Sequence, residues 1–162
     1  MLAEPTLRKS IELAIETEKI GAKYYQELTE KFEKDSVIRD IFAQLARDEK
    51  THEQQFTEIL KTLPSEGKID PRQQSYLKAA SISEFFKTDT FKGIAKAESS
   101  AEVMRRAFNF EKSTLFFYSA IREIIGKSEP LDKIIEAEKL HMTNLMKVIL
   151  EDAKFRGLQD TF

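Results

Sequence analysis

The 162-residue sequence contains no cysteine. Within this chain, disulfides, thiolate catalysis and cysteine-ligated zinc or iron–sulfur sites are therefore excluded. Only five glycines and four prolines are present, so few positions oppose helix formation. No apolar run approaches the roughly 20 residues of a membrane-spanning helix, and charges follow Met1 too soon for a signal peptide. We expect no membrane span and a cytoplasmic location.

An excess of charge of one sign is also missing. The 26 Lys and Arg residues face 28 Asp and Glu residues, which leaves a formal net charge of −2. Without a basic excess the chain cannot neutralise many phosphates, so we do not expect nucleic acid as a partner. The length suits one domain over residues 1–162, and a hydrophobic content of 41% is enough to bury a core.

Helical periodicity dominates the sequence. In four long segments the apolar residues recur at alternating steps of three and four, which is the spacing of one seam of a helix bundle. These segments predict helices over about residues 5–33, 37–63, 100–126 and 130–155. The connectors within the first and second pairs are short, so each pair should be antiparallel.

A long connection separates the two helix pairs. It spans positions 64–99, which is too long for an ordinary loop, and we expect it to cross over along the bundle. Helices 2 and 3 would then be parallel. The connection contains a short helical stretch near Arg72–Ala80 and an aromatic patch, Phe85, Phe86 and Phe91, that we expect to pack on the bundle, with a dimer contact as the alternative. Ser99 and Glu102 form a capping-box pattern at the start of helix 3.

Charged residues interrupt the apolar seams near the middle of each helix. Helices 1 and 3 each contribute one glutamate, and helices 2 and 4 each contribute Glu-x-x-His, whose two side chains share a face one turn apart. The six residues are Glu18, Glu49, His52, Glu111, Glu138 and His141. The chain has only two histidines, and both lie on a seam three residues after a glutamate. The two hairpins thus repeat each other, which predicts an approximate two-fold axis.

Four carboxylates cannot share a core without compensation. Burying one unpaired charge costs at least several kcal/mol, and like charges add repulsion. Two divalent ions would supply a charge of +4. Carboxylates with one imidazole per ion suit iron or manganese, and zinc also occupies such sites. We therefore predict a site for two metal ions, with iron as the first choice and manganese or zinc as alternatives. Accidental polar core residues are the competing interpretation.

Other residues share the faces of the predicted ligands. Tyr25 and Tyr118 follow the helix 1 and helix 3 glutamates by seven residues, about two turns. We expect core tyrosines that bond to a ligand carboxylate, and a catalytic redox role is the alternative. Asp48 could accept a hydrogen bond from a histidine and orient it, whereas Ala137 occupies the equivalent place in helix 4.

The pattern resembles the rubrerythrin-like branch of the ferritin-like di-iron carboxylate superfamily. The resemblance covers all four helices and is carried by Ala14-x3-Glu18-x6-Tyr25, Glu49-x-x-His52, Ala107-x3-Glu111-x6-Tyr118 and Glu138-x-x-His141. It implies a ferritin-like four-helix bundle in which the six residues bind two iron ions, with Glu49 and Glu138 bridging them.

The sequence departs from the family pattern in several places. Rubrerythrins usually carry a rubredoxin domain with cysteine-bound iron, so this chain would need a separate electron-donor protein. Thr114 stands where rubrerythrins carry an additional glutamate, and the six-ligand set is closer to that of bacterioferritin. Lys50 occupies the place of the haem-ligating methionine of bacterioferritin. The tail after Phe155 is too short for the fifth helix of cage ferritins.

These features predict an oxidoreductase that oxidises ferrous iron or reduces hydrogen peroxide or dioxygen. The alternatives are a non-catalytic metal-binding or iron-handling module and a bundle with a vestigial site. Because each hairpin supplies half of the site, we also expect a homodimer, with contact through the crossover and exchange of hairpins as one form of it.

Overall fold

A computed structural model of the chain describes residues 6–64, 69–80 and 99–159. Five helices account for nearly all of these residues: α1 Leu7–Lys31, α2 Ser36–Thr62, α3 Pro71–Ala80, α4 Ser100–Ile125 and α5 Glu129–Gln159. The four long helices form the predicted all-α bundle. The aromatic patch at Phe85, Phe86 and Phe91 lies outside the described residues. Within the described ranges, no helix is long and apolar enough to cross a membrane.

Local sequence signals set most helix ends. The Thr6 and Asp35 side chains accept hydrogen bonds from backbone N–H groups in the first turns of α1 and α2. Ser99 and Glu102 form the predicted capping box at the start of α4, with reciprocal hydrogen bonds of 3.3 Å. Gly126 follows α4 with φ of 78°, a conformation that glycine adopts without a Cβ clash. These caps satisfy backbone groups that would otherwise lack partners.

The end of α5 differs from the prediction. We expected the helix to end at about Phe155, but it continues through Gly157 to Gln159. A single glycine costs a helix only about 1 kcal/mol relative to alanine. No proline follows it to remove a backbone donor.

The helix directions follow from contacts between the hairpins. Tyr25 of α1 donates a hydrogen bond to Glu111 of α4, and Tyr118 of α4 donates one to Glu18 of α1. Each tyrosine follows its own glutamate by seven residues, so α1 and α4 run in opposite directions. Since α2 reverses the direction of α1, α2 and α4 are parallel, as the long crossover requires.

In the part of the chain that the structure describes, the core consists of two apolar clusters on either side of a polar layer. One contains Ile11, Phe56, Leu77, Ile121 and Leu131 among others, and α3 covers it with Leu77 and Ala80. The second, at the other end of the bundle, includes Leu28, Phe42, Val103, Phe110 and Leu145. Full burial of such side chains contributes about 1.5–3 kcal/mol each. The packing at both ends fixes the positions of the polar groups between them.

Candidate metal centre

The polar layer consists of the six residues predicted from the sequence. All are buried, with relative exposures of 0–4%. Their ligand atoms form two groups, each with its atoms within 4.8 Å of one another. The first group is Glu18, Glu49, His52 and Glu138, and the second is Glu49, Glu111, Glu138 and His141. Two glutamates, Glu49 and Glu138, belong to both groups, as the family resemblance implied for bridging residues.

The two unshared glutamates have matching surroundings. Tyr118 donates to Glu18 Oε1 over 2.5 Å, and Glu18 Oε2 lies 3.5 Å from His52 Nδ1. Tyr25 donates to Glu111 Oε1, and Glu111 Oε2 lies 3.0 Å from His141 Nδ1. Each carboxylate is therefore held at one oxygen by a tyrosine of the other hairpin and turns its second oxygen towards a histidine. The expectation that both tyrosines bond to a site carboxylate is confirmed.

The shared glutamates lie between the two histidines. Glu138 Oε1 is 3.1 Å from His52 Nδ1, and Glu49 Oε1 is 3.8 Å from His141 Nδ1. The imidazole ring centroids are 5.6 Å apart. The approximate two-fold relation predicted from the repeated sequence is present in these contacts.

Five buried atoms of the layer have no hydrogen-bond partner among the described residues: Glu18 Oε2, Glu49 Oε1, Glu49 Oε2, His52 Nδ1 and Glu138 Oε1. His52 Nδ1 and Glu138 Oε1 are 3.1 Å apart but form no hydrogen bond with each other. Two ligand atoms of one metal ion would have the same relation. An unsatisfied buried polar atom costs about 1–3 kcal/mol, and more if charged. This oxygen and nitrogen donor set suits two divalent ions, whose coordination would satisfy these atoms.

Burial perturbs the acids of the layer. It raises the pKa of Glu18 and of Glu49 well above the ordinary range, and raises the pKa of Glu111 to about 7. Burial acts in the same direction on Glu138, but the contact with His52 leaves the pKa of Glu138 below its ordinary value. Without a metal, the layer therefore binds protons that divalent ions would displace.

One histidine has an additional partner. His141 Nε2 lies 3.2 Å from Asp48 Oδ2 on the side away from the glutamates. Burial lowers the pKa of His141, but the contacts with Asp48 and Glu111 outweigh it and raise that pKa to about 11. The prediction that Asp48 contacts a histidine is confirmed, and the histidine belongs to the other hairpin. Ala137 stands at the equivalent place in α5.

The hairpins also differ three residues after Glu18 and Glu111, at Gly21 and Thr114. The Thr114 hydroxyl lies 2.7 Å from Glu138 Oε2 and 2.8 Å from the Glu111 carbonyl oxygen. A Cβ at Gly21 would lie 3.2 Å from Glu49 Oε2 and 3.1 Å from a ring carbon of Phe110. The missing side chain thus makes room for Glu49. The sequence prediction assigned neither contact, although aligning the two hairpins would have exposed the Gly–Thr difference.

The comparisons with known proteins agree with this geometry. The family model for rubrerythrin matches residues 9–149, most of the chain. The chain belongs to the rubrerythrin family. A crystal structure of a Thermotoga maritima protein assigned to the ferritin-like diiron-carboxylate proteins superimposes with a TM-score of 0.68 at 22% identity, covering 92% of this chain and 97% of that one. At this identity the likeness shows the shared fold. No curated protein matches the sequence significantly.

Family membership confirms the resemblance predicted from the motifs. In this rubrerythrin-family chain, the glutamate–histidine layer is the candidate site for two metal ions. It is assembled from both hairpins of a single chain, so the exchange of hairpins between two chains is not needed to complete it. The expected homodimer stays a prediction.

Proposed function

We propose that this chain is a di-iron carboxylate redox protein that oxidises ferrous iron with hydrogen peroxide or dioxygen. The observation that carries the proposal is the pair of overlapping ligand groups, together with five buried ligand atoms that have no hydrogen-bond partner. The diiron-carboxylate assignment of the similar Thermotoga protein supports iron as the metal.

The two overlapping groups support a division of the ligands between two ions. Glu18 and His52 would hold one ion, and Glu111 and His141 would hold the other. Glu49 and Glu138 belong to both groups and would bridge the pair. Manganese and zinc accept the same donor types, so metal identity is part of the test.

Bound as a ferrous pair, iron would supply the two electrons that reduce hydrogen peroxide, with two protons, to two molecules of water. The chain contributes position, exclusion of water and proton control. Tyr25 and Tyr118 each donate to one oxygen of Glu111 and Glu18, so the second oxygen, which faces a histidine, would be the one to bind an ion. The Thr114 hydroxyl can hold or pass a proton at Glu138 Oε2, 2.7 Å away.

Turnover beyond one oxidation requires electrons from outside the chain. Because the sequence has no cysteine, it holds no rubredoxin-type iron site, and we propose a separate electron-donor protein. The same observation favours a second candidate function, a non-catalytic iron-handling module. Such a module would bind iron without accelerating its oxidation.

The test is single-turnover oxidation in protein loaded with two ferrous ions per chain without oxygen. After addition of one equivalent of hydrogen peroxide, we expect both irons to become ferric much faster than free ferrous iron. Glu49→Ala should abolish this fast phase, while Glu58→Ala, at an exposed residue of the same helix paired with Lys61, should retain it. Iron binding without faster oxidation would favour the iron-handling module, and oxidation equal in both variants would reject the assigned site.

A further inference from the structure

A groove of about 580 Å³ lies between the first half of α2 and the second half of α5. Apolar side chains of both helices form much of its wall. Its polar lining includes Asp40, Asp48, His141, Asn144 and Glu151. The groove therefore leads from the bundle surface to one histidine of the candidate metal centre.

His141 is the single member of the six-residue layer that lines this groove. Its Nε2 faces Asp48 on the groove side, and its Nδ1 faces Glu111 on the inner side. Glu49 Oε1 lies 3.8 Å from Nδ1 and has no hydrogen-bond partner. One imidazole ring thus separates the groove from a buried carboxylate that lacks a partner.

The charges of the groove favour cations. Three carboxylates, on Asp40, Asp48 and Glu151, outnumber the Lys147 ammonium group and the His141 ring in the lining, so the opening carries a net negative charge even with that ring protonated. A cleft lined by one sign of charge with apolar walls concentrates ions of opposite sign. The Asp48 side chain is 32% exposed while it contacts His141, so an ion in the groove can reach its carboxylate.

We propose that divalent metal ions reach the centre through this groove, past Asp48 and a His141 ring that turns aside. The ion would meet the Asp48 carboxylate first and the Glu49 and Glu111 oxygens behind the ring next. At the two-fold equivalent place, Ala137 offers no carboxylate, so entrance should be one-sided. This inference rests on the metal-binding part of the proposed function and does not require oxidation of the metal.

The hairpin repeat supplies a matched pair of variants. Asn144 lines the groove three residues after His141, and Gln55 stands three residues after His52 in α2. Asn144→Trp should fill the groove, whereas Gln55→Trp places the same bulk at the two-fold equivalent position. Both positions are outside the ligand set, so neither change removes a donor atom.

The test measures Co²⁺ uptake by metal-free protein in a stopped-flow instrument without oxygen. Asn144→Trp should slow association about tenfold or more, because the indole ring blocks the path along which the cleft concentrates ions, while stoichiometry and affinity stay unchanged. Gln55→Trp should bind at the wild-type rate. An unchanged rate in Asn144→Trp, or equal slowing in both variants, would overturn the proposal.

A second variant tests the proposal independently of any folding defect in Asn144→Trp. Glu151→Gln should slow uptake at low ionic strength and weaken its salt dependence, whereas Glu58→Gln should change neither. Identical salt dependence in wild type and Glu151→Gln would also contradict the groove route. Cobalt stays divalent here, so failure of the redox proposal would leave these rates unaffected, while a wild-type protein that takes up no Co²⁺ would reject the metal site itself.

Discussion

Single residues around the glutamate layer make the two halves of the centre unequal. Asp48 contacts His141, whereas the equivalent residue for His52 is Ala137. Thr114 contacts Glu138, whereas the equivalent of Thr114 is Gly21. The six ligand positions obey the two-fold relation, but their supporting residues do not, so we expect the two metal positions to differ in affinity.

Asp48 should strengthen metal binding at the His141 position. A carboxylate that accepts the second N–H of a ligating histidine fixes the ring and its tautomer, and its loss typically lowers metal affinity about 10- to 100-fold. We expect Asp48→Ala to weaken one of two Co²⁺ binding steps by this factor in a calorimetric titration. Ala137→Asp should strengthen the other step. Two unchanged binding steps in Asp48→Ala would contradict this role.

The buried acids should make the metal-free protein less stable as pH rises. The pKa values of Glu18, Glu49 and Glu111 are raised in the folded chain, to about 7 for Glu111, so the folded state binds more protons than the unfolded state. Their stabilising contribution is full below the ordinary glutamate pKa of 4.5 and is lost as pH rises through the folded values. The raised pKa of His141 acts in the same direction.

Urea unfolding of metal-free protein between about pH 5 and about pH 8 measures this effect. The free energy of unfolding should fall across the range, and Glu111→Gln should reduce the slope, because glutamine does not titrate. The lowered pKa values of Asp48 and Glu138 concern more acidic solutions. A free energy of unfolding that rises from pH 5 to pH 8 would contradict the assignment of protonated buried acids.

The sequence predicted the six residues of the buried layer better than the residues that contact them. Helical spacing alone shows that Glu18 and His141 lie on apolar seams. A charged group buried on such a seam needs a partner, and this need marked both residues as candidates for the site. The role of Gly21 depends on how closely α1 approaches Glu49 and Phe110. The Thr114 contact depends on the packing of α4 against α5. Such distances between helices are set by tertiary packing, which one seam pattern does not encode.

At the scale of a helix, Gly21 controls how closely the partners of α1 can approach. A methyl group there would meet the Glu49 carboxylate and the Phe110 ring, and both side chains are almost fully buried. Overpacking of this kind costs about 1–3 kcal/mol, which should exceed the gain of about 1 kcal/mol in helix propensity.

Urea unfolding and metal titration of Gly21→Ala test this close approach. We expect lower stability and weaker metal binding, because Glu49 must shift. Gly157→Ala is the matched control: its Cβ meets no atom of the described residues within 4 Å, so the variant should gain up to about 1 kcal/mol. Equal stabilisation by both substitutions would show that the space at Gly21 is not needed.

Helix boundaries were predictable where a local signal exists. The Ser99–Glu102 capping box lies within four consecutive residues, and its hydrogen bonds are present. The end of α5 was misplaced because Gly157 alone does not stop a helix when neither a proline nor a left-handed cap accompanies it. The parallel direction of α2 and α4 was predictable from the length of the connection at positions 64–99, because two parallel helices must be joined by a connection as long as the bundle.

In the molecule as a whole, the polar layer lies between the two apolar clusters. The clusters hold the hairpins together at both ends, while the layer between them joins like charges from all four long helices. Bound metal ions would compensate these like charges and connect the two hairpins through shared ligands. The fold therefore ties metal binding to stability.

Metal binding should raise the stability of the whole chain. A ligand that binds only the folded state adds about 2.7 kcal/mol at a concentration one hundred times its Kd. We expect Co²⁺ or Zn²⁺ to raise the Tm of wild-type protein and to have little effect on Glu49→Ala, which removes a ligand shared by both ions. An equal shift of Tm in the two proteins would place the binding outside the glutamate layer.

The number of metal ions bound per chain tests whether the glutamate–histidine layer holds a pair of ions. Metal-free protein would be titrated with ferrous iron without oxygen, and Glu18→Ala and Glu111→Ala would be titrated beside it. We predict an equivalence point at two ions per wild-type chain, with one position strongly weakened in each variant. A wild-type chain that binds one ion or none, or variants that still bind two with unchanged affinity, would contradict it.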